Sequence, residues 1–311
     1  MYNDTITVAN KIITDKDLIE IFDLMNEKLI CFEKISRTEE MQNRVLEYRY
    51  QKWTFGNNRS ELSFNVNFYD DTTIRFDNYN NFLAIFNSRL HEIKSIRVYF
   101  HISYSVSSPE TRIEWCYQHI NLNIYETTVD IDVSLSSNDK KIDDVYELIK
   151  TKVYNAPPKY DTVIKKKNLI HTVVGLAIGF IPALVITTML LFFPAIRHMF
   201  ATSYVLYPIC CIIMAFLIGG TVGSTKLDSL YKSITPEQKY VGYDSTNHKS
   251  IYKDDIDKYV QTSEILIGKN VDNLKYRESI MKYYSNYKKY IPYEIGIMML
   301  FSIISLFLGN I

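Results

Sequence analysis

The side chains able to do chemistry in this chain are few and dispersed. Arg97, Tyr99 and His101 alternate with apolar residues in "SIRVYFHISYSV". Successive side chains of a strand point to opposite faces, so these three share the face turned away from Ile96, Val98, Phe100 and Ile102. Arg75 in "TTIRF" and Arg49, Gln51 and Trp53 in "RVLEYRYQKWTF" belong to the same face by the same alternation. Arginines interleaved with aromatic rings on a sheet suit phosphates and stacked bases. Arg49, Trp53, Arg75, Arg97, Tyr99 and His101 are therefore the candidate binding set for a nucleotide or oligonucleotide. The competing reading is the solvated polar face that an antiparallel sheet carries by default. Arg112 and His119 are near in sequence, but the apolar phase shifts over residues 117–120, which predicts a bulge there.

Signals for catalysis are missing. The sequence has no HExxH, GxSxG, GxGxxG or GxxxxGK[ST] motif, and its six histidines form no ligand-spaced pair. No catalytic residue, metal ligand or cofactor is assigned, and an enzyme is not expected. Asp254, Asp255 and Asp257 could be taken for a metal cluster, yet carboxylates in the first turn of a helix account for them through the helix dipole. The four cysteines, Cys31, Cys116, Cys210 and Cys211, contain no CxxC pair. They read as reduced small hydrophobes rather than disulfide or zinc ligands. A formal net charge of zero directs no global field at nucleic acid.

The elements that must position the candidate set lie in residues 1–160, which read as an α+β domain. "DKDLIEIFDLMNEKLI" has apolar residues at 18, 21, 22, 25, 29 and 30, the spacing of a helix, with Thr14 or Asp15 as its cap. Strands follow at "RVLEYRYQKWTF", closed by the turn residues "GNNR", and at "ELSFNVNF" and "TTIRF". A helix over residues 82–91 precedes the strands "SIRVYFHISYSV", "RIEWCYQHINLNIY" and "TVDIDVSL". A helix over 138–153 closes the unit, with Ile142, Val145 and Ile149 inward. The order α-βββ-α-βββ-α predicts one mostly antiparallel sheet with helices on one face.

After the linker "NAPPKYD" the chain becomes apolar. Residues 169–193 and 203–222 contain only Arg197 nearby, in the loop between them, and at 1.5 Å per residue each reaches across a hydrocarbon core of about 30 Å. A third, shorter run fills 293–311. The domains are thus 1–160, a linker and transmembrane hairpin over 161–224, a cytoplasmic helical segment over 225–292, and the third span. Lys165, Lys166, Lys167, Lys226, Lys232, Lys288 and Lys289 flank the spans on one side. By the positive-inside rule the N-terminal domain and 225–292 are cytoplasmic in a plasma membrane, and the C-terminus is outside. Lys275, Arg277 and Lys282 are placed to touch anionic headgroups. The first ten residues carry neither a basic nor an apolar region, so a cleaved signal is not expected. Pro182 and Pro208 predict kinks in the first two spans.

Small residues recur in the spans. Gly175 and Gly179, then Gly219 and Gly223, each form a GxxxG notch that lets helix backbones approach, which predicts helix packing and a homo-oligomer. A cytoplasmic sensor joined to a few spans resembles, in layout, the transmembrane effectors of bacterial anti-phage defence operons. That resemblance implies a bilayer partner, a nucleotide-type signal, an operon-encoded partner protein and a membrane pore as the output. The alternative is a membrane-anchored binding or assembly protein with no channel activity.

Overall fold

The structure is a computed structural model that describes residues 2–37, 46–48, 51–107, 113–136, 143–203 and 205–309. The chain divides into two units, one made of residues 1–159 with 255–272, the other of 160–254 with 273–311.

The first unit is α+β and built on a large antiparallel sheet. Its strands are β1 (Tyr2–Val8), β3 (Leu46–Tyr48), β4 (Gln51–Phe68), β5 (Thr73–Phe76), β6 (Ile93–Ser107), β7 (Ile113–Tyr125) and β8 (Val129–Leu135). They lie in the order β1-β8-β7-β6-β4-β3, with β5 paired to the C-terminal part of β4. The helices of this face are α1 (Asp15–Arg37), α2 (Tyr79–Arg89) and α3 (Asp143–Asn155). The order α-βββ-α-βββ-α thus holds, preceded by β1, an edge strand that the sequence reading missed, and by the short β2 (Ile12–Ile13).

Alternation decides which side is core. Leu62, Phe64, Val66 and Phe68 of β4, Ile96, Val98, Phe100 and Ile102 of β6 and the corresponding rows of β7 and β8 are buried in one core with Phe22, Phe82, Phe86 and Ile149. Phe64 and Phe82 stack at 3.9 Å between centroids, and Phe22 meets Phe64, Phe82 and Phe86 edge-on. Such aromatic pairs add to the area term. Thr14 and Asp17 cap α1 reciprocally: Thr14 N donates to the Asp17 carboxylate at 2.9 Å, and Asp17 N donates to Thr14 Oγ1 at 3.2 Å. Ile30 departs from the expected apolar stripe and is exposed.

Two local expectations fail. "GNNR" does not end a strand; β4 runs through it, and the register shift between Gly56 and Arg59 absorbs the extra residues as a bulge. No bulge occurs at 117–120, because β7 pairs with β6 and β8 without interruption. The apparent phase shift comes from Gln118, a fully buried amide in the apolar row with Ile120, Leu122 and Ile124. A polar residue inside an apolar row mimics a change of face.

The helical segment expected over 225–292 is corrected as well. Residues 238–254 form an antiparallel hairpin of β9 (Gln238–Asp244) and β10 (Lys249–Asp254). Only Ile256–Gln261 of "YKDDIDKYVQTSEILI" is helical (α8), N-capped by Asp255, which accepts from Lys258 N at 3.2 Å. The next residues belong to the sheet domain. β11 (Glu264–Ile265) pairs in parallel with β2. Ser263 Oγ donates to Val8 O at 2.9 Å. Buried Lys159 donates to Thr262 Oγ1 at 2.7 Å, with its ammonium 3.8 Å from the Tyr259 ring. Glu126, in the β7–β8 turn, accepts from Lys269 N at 2.8 Å and from the Tyr69 hydroxyl, and Gly268 sits there at φ 55°, a conformation natural to glycine. Burial and the Glu126 carboxylate push the Tyr69 phenol up to about 12.

Besides the β9–β10 hairpin, the second unit is helical: α4 (Thr162–Lys165), α5 (Lys167–Leu190), α6 (Pro194–Thr202), α7 (Leu206–Tyr231), α9 (Asn273–Lys288) and α10 (Ile291–Gly309). Among the described residues one helix, α5, is long and apolar enough to cross a membrane; the apolar part of α7, Leu206–Thr221, is shorter. Pro208 lies in the first turn of α7, where a missing N–H breaks nothing, so the predicted kink there is withdrawn. Pro182 lies within α5, which continues past it. Arg277 does not reach outward to headgroups. It is 4% exposed and pairs with Asp161 at 3.2 Å, while Asp161 also caps α4 through Val163 N at 2.9 Å.

The glycine notches close within the chain. A methyl on Gly179 would overlap the Ala215 carbonyl and stand 2.7 Å from Gly219 N, and one on Gly175 would stand 3.3 Å from Gly219 O. Gly175, Gly179 and Gly219 therefore set the α5–α7 approach inside one copy rather than between copies. Gly223 lies on α7 one turn further along. Gly220, the neighbour of Gly219, faces open space with no atom within 4 Å of a built methyl. Gly179→Ala is expected to lower the stability of the protein by about 1–3 kcal/mol through overpacking. Gly220→Ala should leave its melting temperature unchanged or raised, and equal behaviour of the two variants would contradict the close approach.

Candidate functional site

One face of the large sheet carries no helix among the described residues, and its side chains form cross-strand rows. Register places Glu61, His101, His119, Ser134 and Asn3 in one row, and Ser63, Tyr99, Asn121, Asp132 and Thr5 in the next. Asn65, Arg97, Asn123, Asp130 and Thr7 form the third, with Arg75 beside Asn65. The right-handed twist of a sheet makes such a face concave along one diagonal. A concavity of about 490 Å3 lies there, lined by Glu61, Ser63, Asn65, Arg75, Arg97, Tyr99, Asn121 and Asn123. The concavity is shallow, open to solvent and lined mainly by polar groups.

Three of the six expected binding residues, Arg75, Arg97 and Tyr99, meet in this concavity. His101 stands one row away. Trp53 is on β4 opposite Leu46, at a different part of the strand. Arg49, like Arg112, lies outside the described residues. The sequence reading missed Asn65, Asn121 and Asn123, whose convergence depends on register between strands. It also missed Asp130 and Asp132, which register brings onto the same face.

The charges on this face are matched only in part: Arg75 has two carboxylate partners, whereas Arg97 is bonded to a neutral amide. Arg75 donates through Nη2 to Glu61 at 3.0 Å and through Nε to Asp77 at 2.9 Å. Arg97 Nε donates to Asn123 Oδ1 at 3.0 Å. Thr7 Oγ1 donates to Asp130 at 2.8 Å, so that carboxylate is held in the row next to Arg97. Four carboxylates (Glu61, Asp77, Asp130, Asp132) thus stand among Arg59, Arg75 and Arg97, and the face has no excess of positive charge.

The two histidines form a separate feature. His101 and His119 lie directly opposite on β6 and β7, with rings 5.9 Å apart, and the Tyr99 ring is 4.8 Å from that of His119. His101 Nε2 is 3.0 Å from Ser103 Oγ, and its buried Nδ1 finds no hydrogen-bond partner among the described residues. Asn121 Nδ2 donates to His119 Nε2 at 2.9 Å. Burial, and for His101 also the facing His119, holds both imidazoles below their ordinary value of 6.5. No group of three or more metal-ligating side chains occurs among the described residues.

A histidine held below its unfolded pKa costs stability on acidification, because the unfolded chain takes up the proton first. This contribution is complete above pH 6.5 and is lost as pH falls through the lowered values. The melting temperature of the sheet domain within the full chain should therefore fall from about pH 7.5 to about pH 5.5. The double variant His101→Gln, His119→Gln should show a shallower fall, and a slope unchanged by the two substitutions would refute the assignment. Compared with protein-family models, with curated proteins and with solved structures, the chain matches none of them, so its own geometry carries the functional reading.

Proposed function

We propose that the protein is a multi-pass membrane effector whose sheet domain binds a small ligand on its uncovered face and controls an oligomeric membrane pore. The observation that carries the membrane part is the outer surface of the helical unit. Only 39% of the most apolar stretch of α5 is buried, whereas a core helix of a water-soluble protein is mostly buried. The rest is exposed and apolar: Ile181 is 69% exposed on α5, Leu217 62% on α7, and Met299 62% on α10. An apolar surface this continuous on three packed helices has lipid as its natural solvent. All three helices are then spans, although α7 and α10 are apolar over shorter lengths than α5.

Topology supports the same reading. The chain leaves the sheet domain at Lys159, forms the α5–α7 hairpin, and returns to it at Asp255. An even number of crossings therefore separates the two visits, as two spans require. The single span α10 then carries the C-terminus to the other side. The lysines beside the spans put the sheet domain in the cytoplasm of a plasma membrane, and the defence-effector layout supplies the biological setting of this proposal.

The interior of the helix bundle sets a condition on any pore. Phe180, Ala183, Cys211, Ala215 and Met298 pack together there, so among the described residues this part of the bundle interior is apolar. On this reading a pore forms between copies. The use of Gly175, Gly179 and Gly219 inside the hairpin removes them from that task, and this favours a second reading: an anchored binding protein with no channel.

Both parts can be measured on the full chain. The protein should stay in the membrane pellet after alkaline carbonate washing, and extraction into the supernatant would end the membrane reading. Reconstituted in phosphatidylglycerol-containing vesicles, it should release an entrapped dye when the ligand of the sheet face is added. Vesicles that stay sealed with and without that ligand would leave the anchored binding protein as the function.

A further inference from the structure

We infer that the concavity on the open sheet face takes an uncharged polyhydroxy ligand, a mono- or disaccharide, rather than a nucleotide. This rests on the reading of that face as a ligand site and specifies its chemistry. Three features of the lining lead to it.

The first is charge. The guanidinium of Arg75 is committed to Glu61 and Asp77, Arg97 keeps its Nε on the Asn123 amide, and Asp130 and Asp132 occupy the next positions along the Asn123 and Asn121 rows. A polyphosphate or an oligonucleotide would find one guanidinium in the lining without a carboxylate partner and would set its remaining charges against these carboxylates. Nucleic-acid sites instead concentrate uncompensated Lys and Arg, and the affinity they gain falls steeply with salt.

The second is the kind of hydrogen-bonding group. Asn65, Asn121 and Asn123 each offer a carbonyl oxygen and an NH2 group, and Ser63 offers a hydroxyl. Some of this capacity is used within the sheet: Asn123 Oδ1 accepts from Arg97, Asn121 Nδ2 donates to His119, and Glu61 Oε1 accepts from Arg75. The remaining amide groups and the second Glu61 oxygen include both donors and acceptors, and sugar hydroxyls, which do both, can match either. A nucleobase edge has a fixed pattern of donors and acceptors and leaves part of this lining unpaired, which is costly once water is excluded.

The third is the single ring. Tyr99 is the one aromatic in the lining, with the His119 ring T-shaped to it at 4.8 Å and the His101 ring stacked at 6.3 Å. A single ring offers one apolar surface for the C–H groups of a pyranose rather than a stack for successive bases. The neighbouring strands stand about 4.8 Å apart, which spreads the amides of the two rows over the footprint of a small saccharide.

The test is calorimetric titration of the full chain, purified in a detergent without a sugar headgroup, because maltoside or glucoside headgroups would compete. The panel is glucose, N-acetylglucosamine, maltose and cellobiose, with adenosine, adenosine monophosphate and an oligoadenylate as the opposing arm. At least one saccharide should bind, with an affinity insensitive to salt between about 50 and 200 mM. Asn121→Ala and Glu61→Gln should each weaken it by about tenfold or more while the melting temperature stays within about 2 °C of the parent. Binding of the adenosine compounds in place of sugars overturns the assignment, as does the absence of binding by every saccharide in the panel. Retention in the carbonate-washed membrane is independent of either result, so the failure of the ligand assignment leaves the membrane reading separately decided.

Discussion

The pairing on which the architecture depends is short: Glu264 and Ile265 laid parallel to Ile12 and Ile13. It joins segments from opposite ends of the chain, since Lys11 N and the Ser263 hydroxyl, bonded at 3.2 Å, are 252 residues apart. Closing so long a loop costs entropy that rises only slowly with length, so a modest set of buried contacts can hold it. Here the set is Ile265 and Ile267 in the core of the sheet domain, the Ser263 and Lys159 hydrogen bonds, and the Glu126 carboxylate gathering the Lys269 amide and the Tyr69 hydroxyl. Without this return the domain would be tied to the helical unit at Lys159 alone. With it, the two units are connected covalently at three places, after residues 159, 254 and 272.

Much of the sheet domain is legible in the sequence because its physics is local. Period-two alternation in "ELSFNVNF" and "SIRVYFHISYSV" identifies both the strands and their buried faces, and Leu18, Ile21, Phe22 and Met25 identify the buried stripe of α1. What was lost is what depends on partners. β1 was passed over because Ile6 and Val8 are too few to stand out, and its place is fixed by β8 at the other end of the domain. Glu264 and Ile265 carry no signal that they will pair with β2. Gln118 misled because a buried amide has the same appearance in a sequence as a solvent-facing one.

The candidate site divides along the same line. That Arg97, Tyr99 and His101 share a face follows from one strand, and Arg75 follows from a hairpin. Whether that face is cationic depends on which residues of β7 and β8 stand opposite, and the register answers with Asn121, Asn123, Asp130 and Asp132. An arginine seen alone in a sequence suggests an anion site. The same arginine 3.0 Å from Glu61 and 2.9 Å from Asp77 is a rim that holds its own partners in place. Surface pairs of this kind contribute little to stability; their effect here is to offset the charge of Arg75, while Arg97 is bonded to the neutral Asn123.

The glycines give the matching lesson in the helical unit. A GxxxG notch reports only that a backbone comes close, since lipid gives apolar side chains no reason to leave it and packing has to supply the association. Whether the approaching backbone belongs to the same chain is outside what the motif encodes. In this chain the α5–α7 hairpin uses the notch, its short connection through α6 keeping the two helices adjacent. The faces left over carry large apolar side chains, Ile181 and Val185 on α5, Phe216 and Leu217 on α7, Ile303 and Phe307 on α10, together with the exposed Gly220 and Gly296. Large aliphatic and aromatic side chains pack against lipid as readily as against each other. The sheet domain and the helical unit are joined at three points of the chain, and one of these connections runs from the Glu126 clamp through Asp272 directly into α9.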